Sequence, residues 1–421
     1  MRKRNTRCGL YSASTMSSNV QYATMSPFLH FDITALIIDV VGEDNDTDLL
    51  KELALVSHSF HEICSKHLFA TVDLHDGNGN YSSSKKGFVK LVKSRPNVVN
   101  YIRKLTYEPS RDNNGDHLLA PILSNFLPAI SRLNCLAINA RCSWDELDSS
   151  LTSSFLHLMC LPTINQIDLA NIHNFPLSSL TRSVNLHRLD IFDLSFDPPE
   201  IVVESEMPKI RELRISNFHS VVVMLHAKMQ DGRPAFNFMD LRRLWMRFME
   251  FEDEQNARYL LQNAKLLEKI HFSVEAGRRL VGLHDMLSPI ARTLKVLSLS
   301  GRLRLAGLCE ELEAMAGHYT LEALSIIFYV ENYDTEDSIG SNIQKVERVL
   351  VRPGWSTLRH VSFKVSCWRL TRSARLSTLE AQLQCLPDKY LNHLSKLDSV
   401  SFNYSVSDEY CDPGSLIAFL F

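Results

Sequence analysis

The densest set of side chains able to hold a metal or move a proton lies in "LALVSHSFHEICSKHLF", Leu53 to Phe69, which carries His58, His61, Glu62, Cys64 and His67. A zinc hydrolase would need two imidazoles one helical turn apart around a glutamate base, in the order His-Glu-x-x-His or its inverse. "HSFHE" has neither order, so the histidines read as surface or half-buried groups and no metal ligand is assigned. The sequence also lacks a Gly-x-Ser-x-Gly elbow, a Gly-x-x-x-x-Gly-Lys-Ser/Thr loop and a Cys-x-x-Cys pair. Gly77 and Gly79 lie in "GNGNYSSSKKG" without the next glycine of a dinucleotide fingerprint. No catalytic residue and no cofactor is assigned, and the chain reads as a non-enzyme.

What remains in this stretch is apolar periodicity. "FDITALIIDVV" places Ile33, Leu36, Ile37 and Val40 on one face of a helix, with Ile38 and Val41 on a second stripe. One stripe can pack inward and the other needs a partner. The polar turn "GEDNDTD" follows, with Asp48 expected to cap a helix presenting Leu49, Leu53 and Val56. Ser59 and Glu62 fit a capping box, which predicts a third helix with Phe60, Ile63, Cys64, His67 and Leu68 on one face.

Taken together, Leu29 to Phe69, "LHFDITALIIDVVGEDNDTDLLKELALVSHSFHEICSKHLF", resembles the F-box motif, and within it the F-box-like proteins with leucine-rich C-terminal parts that are abundant in fungi. His30 stands where that family usually has proline, Asp32 where it has glutamate, and Ile33 at its second leucine. The resemblance covers about a tenth of the chain. It implies docking on the small linker protein of a cullin-based ubiquitin ligase through Leu29, Ile33, Ile37, Leu49, Leu53 and Phe60.

Beyond Gly87 an apolar-x-x-apolar-x-apolar pattern recurs, starting at Ile102, Leu133, Ile164, Leu186, Ile210, Leu241, Leu267, Leu294, Leu321, Leu358 and Leu397. So loose a pattern also arises by chance, but "TLKVLSL" from Thr293, "TLEALSI" from Thr320, "TLRHVSF" from Thr357 and "KLDSVSF" from Lys396 share finer detail. These four are 27, 37 and 39 residues apart, room for a strand, a turn and a helix in each unit. Helix-like "HDMLSPIARTL" and "IQKVERVLV" and the turn "RPGW" lie between them. Units of this kind bury their apolar faces only by stacking, which predicts an α/β solenoid of the leucine-rich-repeat type, with a parallel sheet on one side and helices on the other. The consensus Asn or Cys after the third apolar position is replaced by Arg141, Leu194, Phe218 and Arg302 in four units, so irregular repeats are expected.

The expected organisation is a basic, Ser-rich tail over 1–26, an all-α F-box-like module over 27–74, a loop over 75–87 and the repeat domain over 88–421. The tail carries Arg2, Lys3, Arg4 and Arg7 without an acidic residue, a faint transit-peptide signature for which a flexible tail or an over-extended start is the preferred reading. A formal charge of −3 argues against general nucleic acid binding. Nine scattered cysteines and no secretory signal point to an intracellular protein, cytoplasmic or nuclear. The apolar run "VVVMLHA" is far too short for a membrane span, so no membrane partner is expected.

Two further features bear on binding. "LRRLWMRF", with Arg242, Arg243 and Arg247, precedes "MEFEDEQNAR", with Glu250, Glu252, Asp253 and Glu254; such runs are ordinarily solvated. Trp144, Trp245, Trp355 and Trp368 are hot-spot candidates, of which Trp245 is expected by strand alternation to point away from the core. The expected role is thus an adaptor that holds an undetermined target protein for ubiquitin transfer. The alternative is an interaction scaffold whose N-terminal helices only cap the solenoid.

Overall fold

The computed structural model describes residues 31–409 apart from 45, 76–83, 110–115, 127–129, 198–206, 217, 249–251, 275–281, 303–306, 331–335, 369–380 and 398. The chain divides into two compact units between Leu68 and Phe69. In the first, α1 (Phe31–Glu43), α2 (Thr47–Leu53) and α3 (His58–Leu68) surround Ile38, Leu50, Ile63 and Cys64. Of the two apolar stripes on α1, the one carrying Ile38 and Val41, with Ala35, packs inward. The stripe of Ile33, Leu36, Ile37 and Val40 faces outward.

Both helix starts differ from the sequence reading. Asp46, not Asp48, caps α2, its Oδ1 accepting the Leu49 N–H at 3.0 Å. A cap must sit just outside helical geometry, and Asp46 does, with ψ of 79°. Asp48 lies in the first turn, where its carboxylate favours the positive end of the helix and pairs with Lys51 at 2.9 Å. Similarly α3 opens two residues earlier than the Ser59–Glu62 box implies, with Ser57 Oγ accepting the Phe60 N–H at 3.3 Å. The inward residue of α2 is accordingly Leu50.

The second unit is built on a single sheet of twelve strands among the described residues, every neighbouring pair parallel and the spatial order the same as the sequence order. They are β1 (Thr71–Leu74), β2 (Lys104–Tyr107), β3 (Cys135–Ser143), β4 (Gln166–Phe175), β5 (Arg188–Phe196), β6 (Glu212–Ile215), β7 (Arg243–Phe248), β8 (Lys269–Val274), β9 (Val296–Arg302), β10 (Ala323–Val330), β11 (His360–Trp368) and β12 (Ser401–Glu409). Helices between successive strands contribute to the same apolar core as one face of the sheet. In this α/β arrangement Thr71–Leu74, which alternates like a strand at Val72 and Leu74 although the expected module boundary groups it with the helices, lies in the sheet beside β2, with Leu74 fully buried.

Each of the eleven pattern starts lies just ahead of a strand, and from β2 to β11 the second and third apolar positions are the core-facing ones. Leu244 and Met246 on β7, and Leu297 and Leu299 on β9, are examples. The last unit slips by two residues: Phe402 and Tyr404, rather than Val400 and Phe402, stand opposite Val361 and Phe363. Two of the three threonines of the shared motif tie units together, Thr320 Oγ1 donating to the Arg292 carbonyl at 3.0 Å and Thr357 Oγ1 to that of Leu321 at 2.9 Å.

Two carboxylates, of which Glu347 is buried, add further ties. Glu347, on the helix Glu336–Leu350 that contains "IQKVERVL", accepts the N–H groups of His393 at 2.8 Å and Leu394 at 3.0 Å. Glu311 accepts those of Gly282 at 2.6 Å and His284 at 2.8 Å, at the start of the helix Leu283–Leu287. Pro289 lies in the 3₁₀ turn Ser288–Ile290 that follows, so "HDMLSPIARTL" is a short helix and a turn rather than one helix. No helix among the described residues is long and apolar enough to cross a membrane.

Candidate functional site

Two surfaces stand out, one in each unit. In the helical unit Ile33, Leu36, Ile37 and Val40 line the outer stripe of α1 with 49% to 67% of their surface exposed. Leu49 on α2 and Leu55 and Val56 after it are exposed too. Seven of the eleven large apolar residues exposed among the described residues therefore fall between Ile33 and Val56. Scattered exposed apolar residues are ordinary, whereas seven within one short stretch are an unusual concentration.

Of the six residues expected at a docking face, Ile33, Ile37 and Leu49 are exposed, whereas Leu53 and Phe60 pack half-buried against the unit's own core. Leu29 lies outside the described residues. Leu36 and Val40 belong to the face through the same helical spacing as Ile33 and Ile37. Leu55 and Val56 lie past the end of α2, where periodicity gives no direction.

The histidines have structural surroundings. His58 is exposed. His67 bridges α3 to α1, its Nε2 2.7 Å from Asp39 Oδ1 and its ring against Gly42, where an added Cβ would lie 2.2 to 2.6 Å from three ring atoms. His67 and Gly42 thus fix the approach of the helix that carries the apolar stripe. No group of three His, Cys, Asp or Glu residues among the described residues is arranged to hold a metal ion.

The second surface is the sheet face opposite the core. Alternation along β7 buries Leu244 and Met246 and turns Arg243, Trp245 and Arg247 to this face. Trp245 is half-buried and stacks on His271 of β8, with ring centroids 5.8 Å apart and planes 9° from parallel. Phe192 of β5 lies 5.8 Å from its other side. Hydroxyls hold the imidazole from both edges, Ser298 Oγ 2.8 Å from Nδ1 and Ser300 Oγ 3.0 Å from Nε2. Burial, and then the Arg214 cation, push the His271 pKa down to about 4. The ring is therefore neutral near pH 7, donating to one serine and accepting from the other.

Charges surround this aromatic row. Where β5 to β8 pair in register, this face carries Arg188, Arg214, Arg243, Arg247 and Lys269 against two carboxylates, Asp190 and Glu212, and Asp193 is exposed further along β5. Fully buried Asp190 pairs with Arg188 at 2.8 Å and lies 3.9 Å from Arg214, and Glu212 pairs with Arg243 at 2.8 Å. One strand further on, burial and then the Asp190 charge push the Asp168 pKa up to about 6, against two contacts from the Gln166 amide. Cys135 beside it, raised by burial to about 12, stays a thiol and is a poor nucleophile.

Trp144 and Trp355 serve packing. Trp144 is buried edge-on against Phe175 at 4.8 Å, and Trp355 donates to the Val349 carbonyl at 3.3 Å. The Trp368 side chain lies outside the described residues, as do Glu250 and the side chains of Glu252 and Asp253. Glu254 pairs with Arg258 one helical turn on, at 3.0 Å. No protein-family model matches the chain, and neither does any curated protein.

Proposed function

We propose that the protein is an F-box-like adaptor of a cullin-based ubiquitin ligase, its helical unit docking on the ligase's small linker protein and its leucine-rich-repeat-like sheet unit holding a target protein. The observation that carries this reading is the outward apolar stripe of α1, Ile33, Leu36, Ile37 and Val40, in a unit that also exposes Leu49, Leu55 and Val56. These side chains coincide with the part of the chain whose sequence resembles the docking motif. Covering a Leu or Ile fully is worth roughly 1.5 to 3 kcal/mol, so a few of them suffice for a stable complex. The adaptor performs no bond chemistry; it raises the local concentration of target beside the transferring enzyme.

The sheet unit supports the second half of this role. Strands stacked in sequence order, each tied to the next, give a long surface on which substitutions change recognition without disturbing the core. The test is copurification of the full chain with the linker protein, using wild type and Ile37→Asp. Capture of linker by wild type and loss with Ile37→Asp support the proposal. An Ile37→Asp chain that unfolds, with no linker captured by wild type, favours the capping role instead.

A further inference from the structure

We infer that the target is held through an acidic segment with a large apolar side chain, received on the β5–β8 sheet face with Trp245 as its anchor. The chain as a whole carries a formal charge of −3, yet at the paired positions of β5 to β8 on this face five cations meet two carboxylates. Arg243, Trp245 and Arg247 alternate along one strand, so a cation lies on each side of the indole along β7. Arg243 keeps 59% of its side-chain surface exposed even while paired with Glu212, and Lys269 beside it is exposed. Long-range attraction is therefore positive where the aromatic platform is, which steers a negatively charged segment onto it.

The platform is also built in advance. Two serine hydroxyls fix the His271 ring, the ring lies flat against Trp245, and Phe192 closes the other side. An indole held in this way loses little freedom on contact, the property that makes tryptophan a dominant anchor at interfaces. Single-stranded nucleic acid would also use cations and a stacking ring. Asp190 and Glu212, interleaved among the cations, disfavour the unbroken phosphate array of a nucleic acid and leave an acidic peptide as the better match.

The inference takes from the adaptor reading only the idea that this unit holds a target. Binding is measured on the full chain without the ligase linker, so failure of one does not entail failure of the other. The probe is a fluorescein-labelled glutamate-rich peptide with one central phenylalanine, read by fluorescence anisotropy. The controls are the same peptide with lysine or serine replacing glutamate, and a single-stranded RNA oligomer. The acidic peptide should bind most tightly, weaken as salt is raised, and lose about tenfold or more in affinity with Trp245→Ala or with Arg243→Glu. Should Trp245→Ala unfold the chain, Arg243→Glu and Lys269→Glu, both at exposed positions, carry the same test. Acidic and serine peptides binding alike, RNA binding more tightly than the acidic peptide, or affinity unchanged in the folded variants would overturn the inference.

Discussion

Gly42→Ala offers a sharp test of how the outer stripe of α1 is held. On helix propensity alone, replacing glycine by alanine within a helix stabilises by up to about 1 kcal/mol, somewhat less near the end where Gly42 lies. The structure predicts the opposite sign. A Cβ at Gly42 would lie 2.2 to 2.6 Å from Nδ1, Cγ and Cε1 of His67, so the ring must move and its 2.7 Å contact with Asp39 is lost. Overpacking of this kind costs roughly 1 to 3 kcal/mol, and the lost hydrogen bond about another 0.5 to 1.5 kcal/mol. The net expectation is a loss of about 1 to 3 kcal/mol in the helical unit. Hydrogen exchange of the full chain reads this directly: amides of α1 and α3 should exchange roughly 5- to 100-fold faster while those of β3 to β11 stay as they were. Adding His67→Ala removes the obstruction and should recover protection relative to Gly42→Ala alone. Faster exchange that His67→Ala does not relieve, or no change with Gly42→Ala, refutes the clamp.

Other consequences concern the sheet unit. Asp168 keeps its proton in the fold up to about pH 6 but ionises near 3.8 when unfolded, so its contribution to stability declines as pH rises from about 4 to about 6. His271 stays neutral in the fold down to about pH 4 but takes a proton near 6.5 when unfolded, so its contribution declines as pH falls through the same range. The two slopes, each at most about 1.4 kcal/mol per pH unit, oppose one another in the wild type. Asp168→Asn should therefore lose stability steeply on acidification from about pH 6.5, and His271→Gln should gain it from about pH 6; urea midpoints that run parallel in the two variants would contradict this. Glu347→Ala leaves the N–H groups of His393 and Leu394 without their acceptor, at about 1 to 3 kcal/mol, seen as a lower urea midpoint for the sheet unit. Gly340→Ala drives a Cβ within 2.6 Å of the Tyr390 ring and should destabilise this unit by roughly 1 to 3 kcal/mol, despite the better helix propensity of alanine; a raised melting temperature would count against it.

The strands were legible because each stacked unit repeats the same demand. Two alternate side chains must enter a shared core, and Leu105 with Tyr107, Leu189 with Ile191 and Leu324 with Ile326 answer it at the same spacing. The slip at β12 was not legible, since Val400 and Phe402 satisfy that spacing as well as Phe402 and Tyr404 do, and only pairing with β11 chooses between them. On α1 the periodicity revealed two apolar stripes but not which of them packs inward. That choice depends on Leu50, Ile63 and Cys64 from the other helices. The row of Phe192, Trp245 and His271 joins residues from three different strands, and sequence alternation predicted only that Trp245 turns away from the core. His67 looked like one member of a histidine cluster because its true neighbours, Asp39 and Gly42, lie a helix away in the sequence.

The central claim is that the outer stripe of α1 is a docking face for the ligase linker protein. Its most direct measurement is the affinity of the purified full chain for that linker by calorimetry, for wild type and for Ile37→Asp, with hydrogen exchange of α1 to α3 as the check on folding. Ile37 is 49% exposed in the free chain, so the substitution should leave the helices protected. It should weaken binding by at least about 1.5 to 3 kcal/mol, tenfold to more than a hundredfold. Undiminished binding by a folded Ile37→Asp chain, or no binding by the wild type, would contradict the account.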